Sequence, residues 1–191
     1  MSSSSRSRVV ALAVALVLAL VFPSRGEVLV FSGSNHVEHG QFWPPPPATL
    51  GDFFWEGWIR SDADNAANYW ISDGSGGKHA VLLGHAPAVP GVPNSNRVKL
   101  IVWNGTDGKQ AESDDGCLIG EWCHVAASLQ GTAMRVYVDG VPSGAAAFTG
   151  TRQSASPYSD RATVLFVGGS DHNQFRGALG WVRGWEGYSP V

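Results

Sequence analysis

Charge is scarce in this sequence. Asp, Glu, Lys and Arg make up 15% of its 191 residues, against roughly 25% in an ordinary soluble domain. Sixteen acidic and thirteen basic residues leave a formal charge of −3. That excludes an electrostatic nucleic-acid binder, which would show a clustered basic surface. Cysteine is scarcer still: two residues exclude both a disulfide-dense mini-scaffold and a four-cysteine zinc site. There is no charge block, no repeat of fixed period and almost no apolar pattern of helical period. What is plentiful is glycine (24), proline (11) and tryptophan (8), a mixture suited to strands joined by many turns. A hydrophobic share of 43% supplies a core and excludes a disordered or fibrous chain.

Residues 1–8 carry Arg6, Arg8 and no acid, and an apolar run of 14 residues follows from Val9 to Phe22. That is short for a membrane-spanning helix, which needs about 17–25 residues; it fits the h-region of a secretory signal peptide. Ser24 and Gly26 occupy the −3 and −1 positions of a cut after residue 26. The alternative is an uncleaved anchor. Cleavage removes three arginines and no acid, leaving ten basic and sixteen acidic residues and a formal charge of −6. The expectation is therefore a signal peptide at 1–26 and one domain at 27–191, secreted, with no later stretch able to span a membrane.

Two features agree with an oxidising, glycosylating route. Cys117 and Cys123 lie close together between turn residues, and a bond between them would restrict the unfolded chain by roughly 2 kcal/mol. A metal site there would need more Cys or His, and only His124 is adjacent. Asn104-Gly105-Thr106 is the single glycosylation sequon, placed after an apolar strand where a turn is expected.

The best apolar patterns have period two, the repeat of a strand with one buried face. Val98, Leu100 and Val102 alternate with Arg97, Lys99, Ile101 and Trp103. Val125, Ala127 and Leu129 alternate with His124, Ala126 and Ser128. Met134, Val136 and Val138 alternate with Arg135, Tyr137 and Asp139, and Asp139-Gly140 reads as a type I′ hairpin. Further strands are expected at 28–31, 53–60, 80–83, 163–167 and 179–185. Pro44–Pro47 is a stiff extended stretch, either a rigid loop or a ligand for another module. Eight or more short strands with Gly-rich turns predict an all-β, antiparallel two-sheet sandwich or jelly roll.

At this point the residues resemble a known family. Glu121-Trp122-Cys123-His124-Val125-Ala126-Ala127-Ser128, then Gly131 to Gly140 with its Tyr137-Val138-Asp139-Gly140, is similar to the central signature of laminin G-like jelly rolls of the concanavalin A-like lectin/glucanase superfamily. Leu29–Gly33 resembles the opening strand, Phe53–Arg60 an early core strand, and 165–169 with 175–185 the closing unit. The resemblance spans almost all of residues 28–187. It implies a concanavalin A-like sandwich. One departure is Gly180-Trp181, where the family often carries an acidic pair.

Relatives implied by that resemblance include glycoside hydrolases, whose two carboxylates flank the scissile bond. No Glu-x-Asp-x-Glu run exists here, and Glu56 stands alone on its strand between Phe54 and Trp58; it reads as a structural residue. Consecutive Ser170-Asp171-His172 project apart and cannot form a relay. Gly74–Lys78 lacks the spacing of a phosphate loop, and His36 and His39 fall on opposite faces of a strand. No catalytic residue is expected. The resemblance raises calcium as the one cofactor to consider. Asp62, Asp64 and Asn65 offer oxygen ligands on one loop, and Glu112, Asp114 and Asp115 on what reads as a second acidic loop; a hard cation needs six or more converging oxygens. The metal question stays open.

Binding is better supported than catalysis. With Val98, Leu100 and Val102 pointing inward, Lys99 and Trp103 point out, as do Arg135 and Tyr137. A flat aromatic beside hydrogen-bonding groups suits a sugar. Trp103, Tyr137, Arg135 and Lys99 are thus the expected binding surface, with Trp55, Trp58, Trp122, Trp181 and Trp185 expected in the core and Trp43 and Trp70 in exposed loops. The sequence leads to a secreted, non-catalytic binding module whose partner is a glycan. An adhesion or assembly protein that binds another extracellular protein is the alternative, and a small glycoside hydrolase the third reading.

Overall fold

The computed structural model describes residues 28–32, 37–41, 52–63, 69–73, 81–86, 95–104, 107–150, 164–167 and 175–186. Residues 1–26, expected to be a signal peptide, and Trp43, Pro44–Pro47, Gly74–Lys78, His36 and Ser170–His172 lie outside them. Among the described residues twelve strands run in chain order: β1 (Leu29–Ser32), β2 (Val37–Gln41), β3 (Phe53–Ser61), β4 (Tyr69–Asp73), β5 (Val81–Ala86), β6 (Ser95–Trp103), β7 (Gly108–Leu118), β8 (Trp122–Gln130), β9 (Ala133–Val138), β10 (Val141–Ala147), β11 (Val164–Val167) and β12 (Arg176–Glu186). They form two six-stranded sheets, β1-β12-β3-β8-β9-β10 and β2-β11-β4-β5-β6-β7. Every pairing is antiparallel. Among the described residues no helix is long and apolar enough to cross a membrane.

Period-two alternation decides which face of each strand is buried. On β3, Phe53, Trp55 and Ile59 are at most 1% exposed, while Phe54, Glu56 and Arg60 are half-buried and Trp58 is exposed. Val98, Leu100 and Val102 on β6, and Val125, Ala127 and Leu129 on β8, face them from the two sheets. Val136 and Met134 complete the middle of the core at 0% exposure. The hairpin expected at Asp139-Gly140 forms between β9 and β10, with φ of 49° and 79° and Val138 paired to Val141.

One side of the sandwich is closed by β7 and β10. The hydroxyl of Ser143 accepts the Asp115 N–H at 2.9 Å and donates to its carboxylate at 3.2 Å. Gly144 permits the approach, because a Cβ there would overlap the Glu112 carbonyl oxygen. The Cys117–Cys123 disulfide, with its Cα atoms 5.7 Å apart, ties the end of β7 to the start of β8 and so joins the two sheets. Glu112, Asp114 and Asp115 stand on β7, not in the loop expected for them. β7 escaped the pattern because its alternation is interrupted: Ala111, Ser113 and Cys117 are its buried residues, all three are small or polar, and Glu112, Asp114 and Asp115 stand between them.

Candidate functional site

The four residues expected to share a binding surface do not share one. β6 and β9 belong to different sheets, so Lys99 and Trp103 stand on one outer side of the sandwich and Arg135 and Tyr137 on the other. The error lies in topology: alternation tells inside from outside but not which sheet a strand joins. Trp103 is half-buried, and a Cβ on its cross-strand partner Gly108 would meet its indole at 3.4 Å. Its indole N–H is buried with no hydrogen-bond partner among the described residues. Lys99 is half-buried beside the Arg97–Glu112 ion pair of 2.8 Å; desolvation holds its ammonium below the usual lysine range, with Glu112 opposing.

The concentration of chemistry is on the outer face of the first sheet. The registers place Arg183, Glu56, Ala126 and Tyr137 in one row across β12, β3, β8 and β9, and Trp185, Phe54, Ser128 and Arg135 in the next. Trp58 pairs with His124, and Arg60 with Trp122. Ala126 and Ser128 are small, and the rings of Phe54 and Tyr137 meet across them at 6.3 Å, which leaves them 2% and 6% exposed. Phe54 also packs against Trp185 at 5.6 Å.

The second aromatic group surrounds His124. Trp58 lies 5.4 Å from its ring and Trp181 5.6 Å, and its Nε2 stands 3.2 Å from Glu56 Oε2. Glu56 is thus solitary on its strand but paired in space. Asp139 fixes the strand end, accepting the His124 backbone N–H at 2.9 Å and donating its own N–H to the His124 carbonyl at 2.7 Å. Two guanidiniums lie over indoles: Arg183 over Trp181 at 4.3 Å and Arg60 over Trp122 at 5.7 Å. Such stacking contributes about 0.5–1 kcal/mol at exposed sites. Arg60 is also held by Asp62 at 3.1 Å.

The tryptophans divide differently from the expectation. Trp55 is in the core at 1% exposure, as expected, but Trp58 is 38% and Trp122 41% exposed, and Trp181 and Trp185 are half-buried. Trp70, expected in an exposed loop, lies on β4 and is 1% exposed. Within β3 the signal was present: Trp55 and Trp58 are three residues apart, and a period of two sends them to opposite faces.

The calcium ligands do not assemble among the described residues, where no group of three or more His, Cys, Asp or Glu stands together. Asp62 is paired with Arg60, Glu112 with Arg97 and Asp115 with Ser143, while Asp64 and Asn65 lie outside the described residues. The sequon asparagine is engaged in the turn after β6: its Oδ1 accepts the Asp107 N–H at 2.9 Å, and its Nδ2 donates to the Thr149 carbonyl at 2.8 Å.

A laminin G family profile, described as concanavalin A-like lectin/glucanases superfamily, matches residues 31–188, and the chain belongs to that family. No curated protein sequence matches it significantly. Among solved structures it is similar to domain 4 of an extracellular arabinanase from Geobacillus stearothermophilus, solved with arabinotriose. The TM-score is 0.62 at 14% identity, over 86% of this chain and 73% of that one. It is similar also to a SAP-like pentraxin from Limulus polyphemus (TM-score 0.57, 16% identity, 82% and 74% covered). A third is the CBM40 of a Ruminococcus gnavus sialidase, solved with α2,3-sialyllactose (TM-score 0.60, 12% identity, 84% and 90% covered). At these identities the likeness establishes the concanavalin A-like sandwich and nothing finer.

Proposed function

We propose that the protein is a secreted, non-catalytic carbohydrate-binding module, and that the sugar lies on the outer face of the first sheet against Trp58 and Trp122. The observation that carries the reading is this pair of indoles, 38% and 41% exposed, on a face that also holds Arg60, Arg183 and the Glu56–His124 pair. A pyranose offers apolar C–H faces to an indole and hydroxyls to the charged groups beside it; the stacked area contributes about 25 cal/mol per Å². Arg135 and Tyr137 remain in this reading as its far flank, whereas Lys99 and Trp103 leave it. The sugar-bound arabinanase domain and sialidase module support it by likeness of fold.

Hydrolysis is the weaker reading because it needs two free carboxylates across the scissile bond. Glu56 is paired with His124, and the Asp139 carboxylate is committed to a backbone N–H. Secretion is supported by the signal-like segment at 1–26 and by the disulfide, a bond that persists in oxidising compartments. The test is a glycan array probed with wild type, Trp58→Ala, Trp122→Ala and Trp103→Ala, with and without calcium. Binding lost in the first two variants and kept in the third is expected. Binding lost only with Trp103→Ala would move the site to the opposite sheet, and no binding to any glycan would overturn the reading.

A further inference from the structure

The two outer faces of the sandwich differ in how they hold their cations. On the second sheet Arg97 is paired with Glu112 at 2.8 Å, and Lys109 with Asp107 at 2.9 Å. The outer face of the first sheet carries Arg176 and Arg183 on β12, Arg60 on β3 and Arg135 on β9. Arg60 is held by Asp62. Arg135, Arg176 and Arg183 are exposed, and none of them meets a carboxylate among the described residues. Glu56, the cross-strand partner of Arg183, is turned instead to His124 at 3.2 Å. Among the described residues it is the one acid at an outward strand position of this sheet. Four arginines thus gather on one face of a domain whose formal charge, without residues 1–26, is −6. Like charges repel, and an anion bound on this face relieves that repulsion.

We propose that this face binds acidic glycans through a sugar carboxylate, that of a uronic or a sialic acid residue. The inference rests on the carbohydrate reading above and names the class of sugar. All four cations are arginine, whose planar fork meets a carboxylate in two parallel hydrogen bonds, as a lysine ammonium does not. The Arg183 guanidinium lies 4.3 Å from the Trp181 ring centroid. A guanidinium over a ring is held through its face, and its donors lie in its plane. The register of β12 on β3 breaks at a β-bulge between Leu179 and Val182, so Gly180 and Trp181 stand together opposite Trp58. Bulges of this kind re-aim side chains. Along the strands Trp58 therefore stands between Arg183 on one side and Arg60 and Arg176 on the other. An acidic sugar carries its carboxylate at the edge of the ring, so a ring stacked on Trp58 directs it toward one of these guanidiniums.

The experiment is calorimetric titration of the secreted protein with two pairs of sugars. One pair is trigalacturonic acid and its methyl triester, which share every ring and linkage and differ in charge. The other is 3′-sialyllactose and lactose. The acid of at least one pair is expected to bind about tenfold more tightly than its neutral partner, or about 1.4 kcal/mol, and that pair names the source of the carboxylate. The preference should shrink between about 10 mM and about 150 mM salt, as the Debye length falls from roughly 30 Å to roughly 8 Å. The double variant Arg176→Gln, Arg183→Gln should bring acid and neutral partner together, while Lys109→Gln on the second sheet should keep them apart. The wild-type comparison needs no variant, so it decides the matter even if the double variant fails to fold. Equal affinities within both pairs, or a preference that survives in the folded double variant, would overturn the carboxylate and leave the carbohydrate reading standing. So would arrayed binding confined to neutral or sulfated glycans. No binding to any of the four sugars or to any arrayed glycan would overturn the carbohydrate reading, and the carboxylate with it.

Discussion

Trp55 and Trp58 stand three residues apart on one strand and should answer the same substitution in opposite ways. Trp55 is 1% exposed and packs on Phe53 with ring centroids 5.6 Å apart. Trp55→Ala deletes a whole buried indole and leaves a cavity, at a cost of roughly 3–5 kcal/mol of folding stability. For a domain of this size that lowers the melting temperature by roughly 10 °C, at about 2–4 °C per kcal/mol. Trp58 is 38% exposed, its indole resting on His124. Part of its surface is already wet and no enclosed cavity forms, so Trp58→Ala should cost roughly 1–2 kcal/mol of stability, below the range for a buried tryptophan. Its glycan affinity should fall by roughly 1–3 kcal/mol, the scale of a central contact residue. The assay is a thermal melt paired with a glycan titration on both variants. A Trp58→Ala protein that melts as low as Trp55→Ala, or that binds glycan as wild type does, would refute the assignment of this face.

Replacing Cys117 and Cys123 together by Ala should lower stability by roughly 2 kcal/mol, read as a shifted denaturant midpoint; an unchanged midpoint would show that the bridge does not bear on folding. Glu56→Gln and His124→Gln should each cost about 1 kcal/mol or less and be non-additive in a double-mutant cycle, whereas strict additivity would mean that the 3.2 Å pair does not couple. Burial lowers the folded-state pKa of Lys99, so between that value and the unfolded one the unfolded chain binds more protons and stability rises with pH. Lys99→Met should flatten that alkaline rise in urea melts, and an unchanged slope would place its cause elsewhere. N-terminal sequencing of secreted protein should begin at Glu27, and Met1 retained on membrane-bound material would establish the anchor instead.

Strands with strict alternation were legible to within one or two residues. β3 was expected at 53–60 and spans Phe53–Ser61, and β9 was expected at 134–138 and spans Ala133–Val138. The hairpin was legible because Asp-Gly is one of the few pairs that accommodate two positive φ values in a two-residue turn. β7 was not, because a strand at the edge of a sheet that must also close against β10 carries Ser113 and Gly116 where a central strand carries Val or Leu. Its acids therefore read as a loop. Each acid is individually solvated or paired, and hydrophobic patterning gives no sign of that.

The site was legible in its parts and not in its assembly. His124 lay in the strongest family signature and Glu56 was singled out as solitary, but their 3.2 Å contact joins residues 68 positions apart and depends on β3 lying beside β8. Nothing in either segment names its neighbour. The departure at Gly180-Trp181 carried more information than the matches did. A bulge makes two successive residues share one cross-strand position, so period two fails there and both residues reach the face that alternation grants to one. That irregularity sets Trp181 against His124 and brings Gly180 close to the Trp58 and Trp122 side chains. An acidic pair at those two positions would place charge where the indoles now meet. The place where the chain departs from its family is therefore the place where its outer face becomes aromatic, and the ligand should be sought there before the rim of the sandwich.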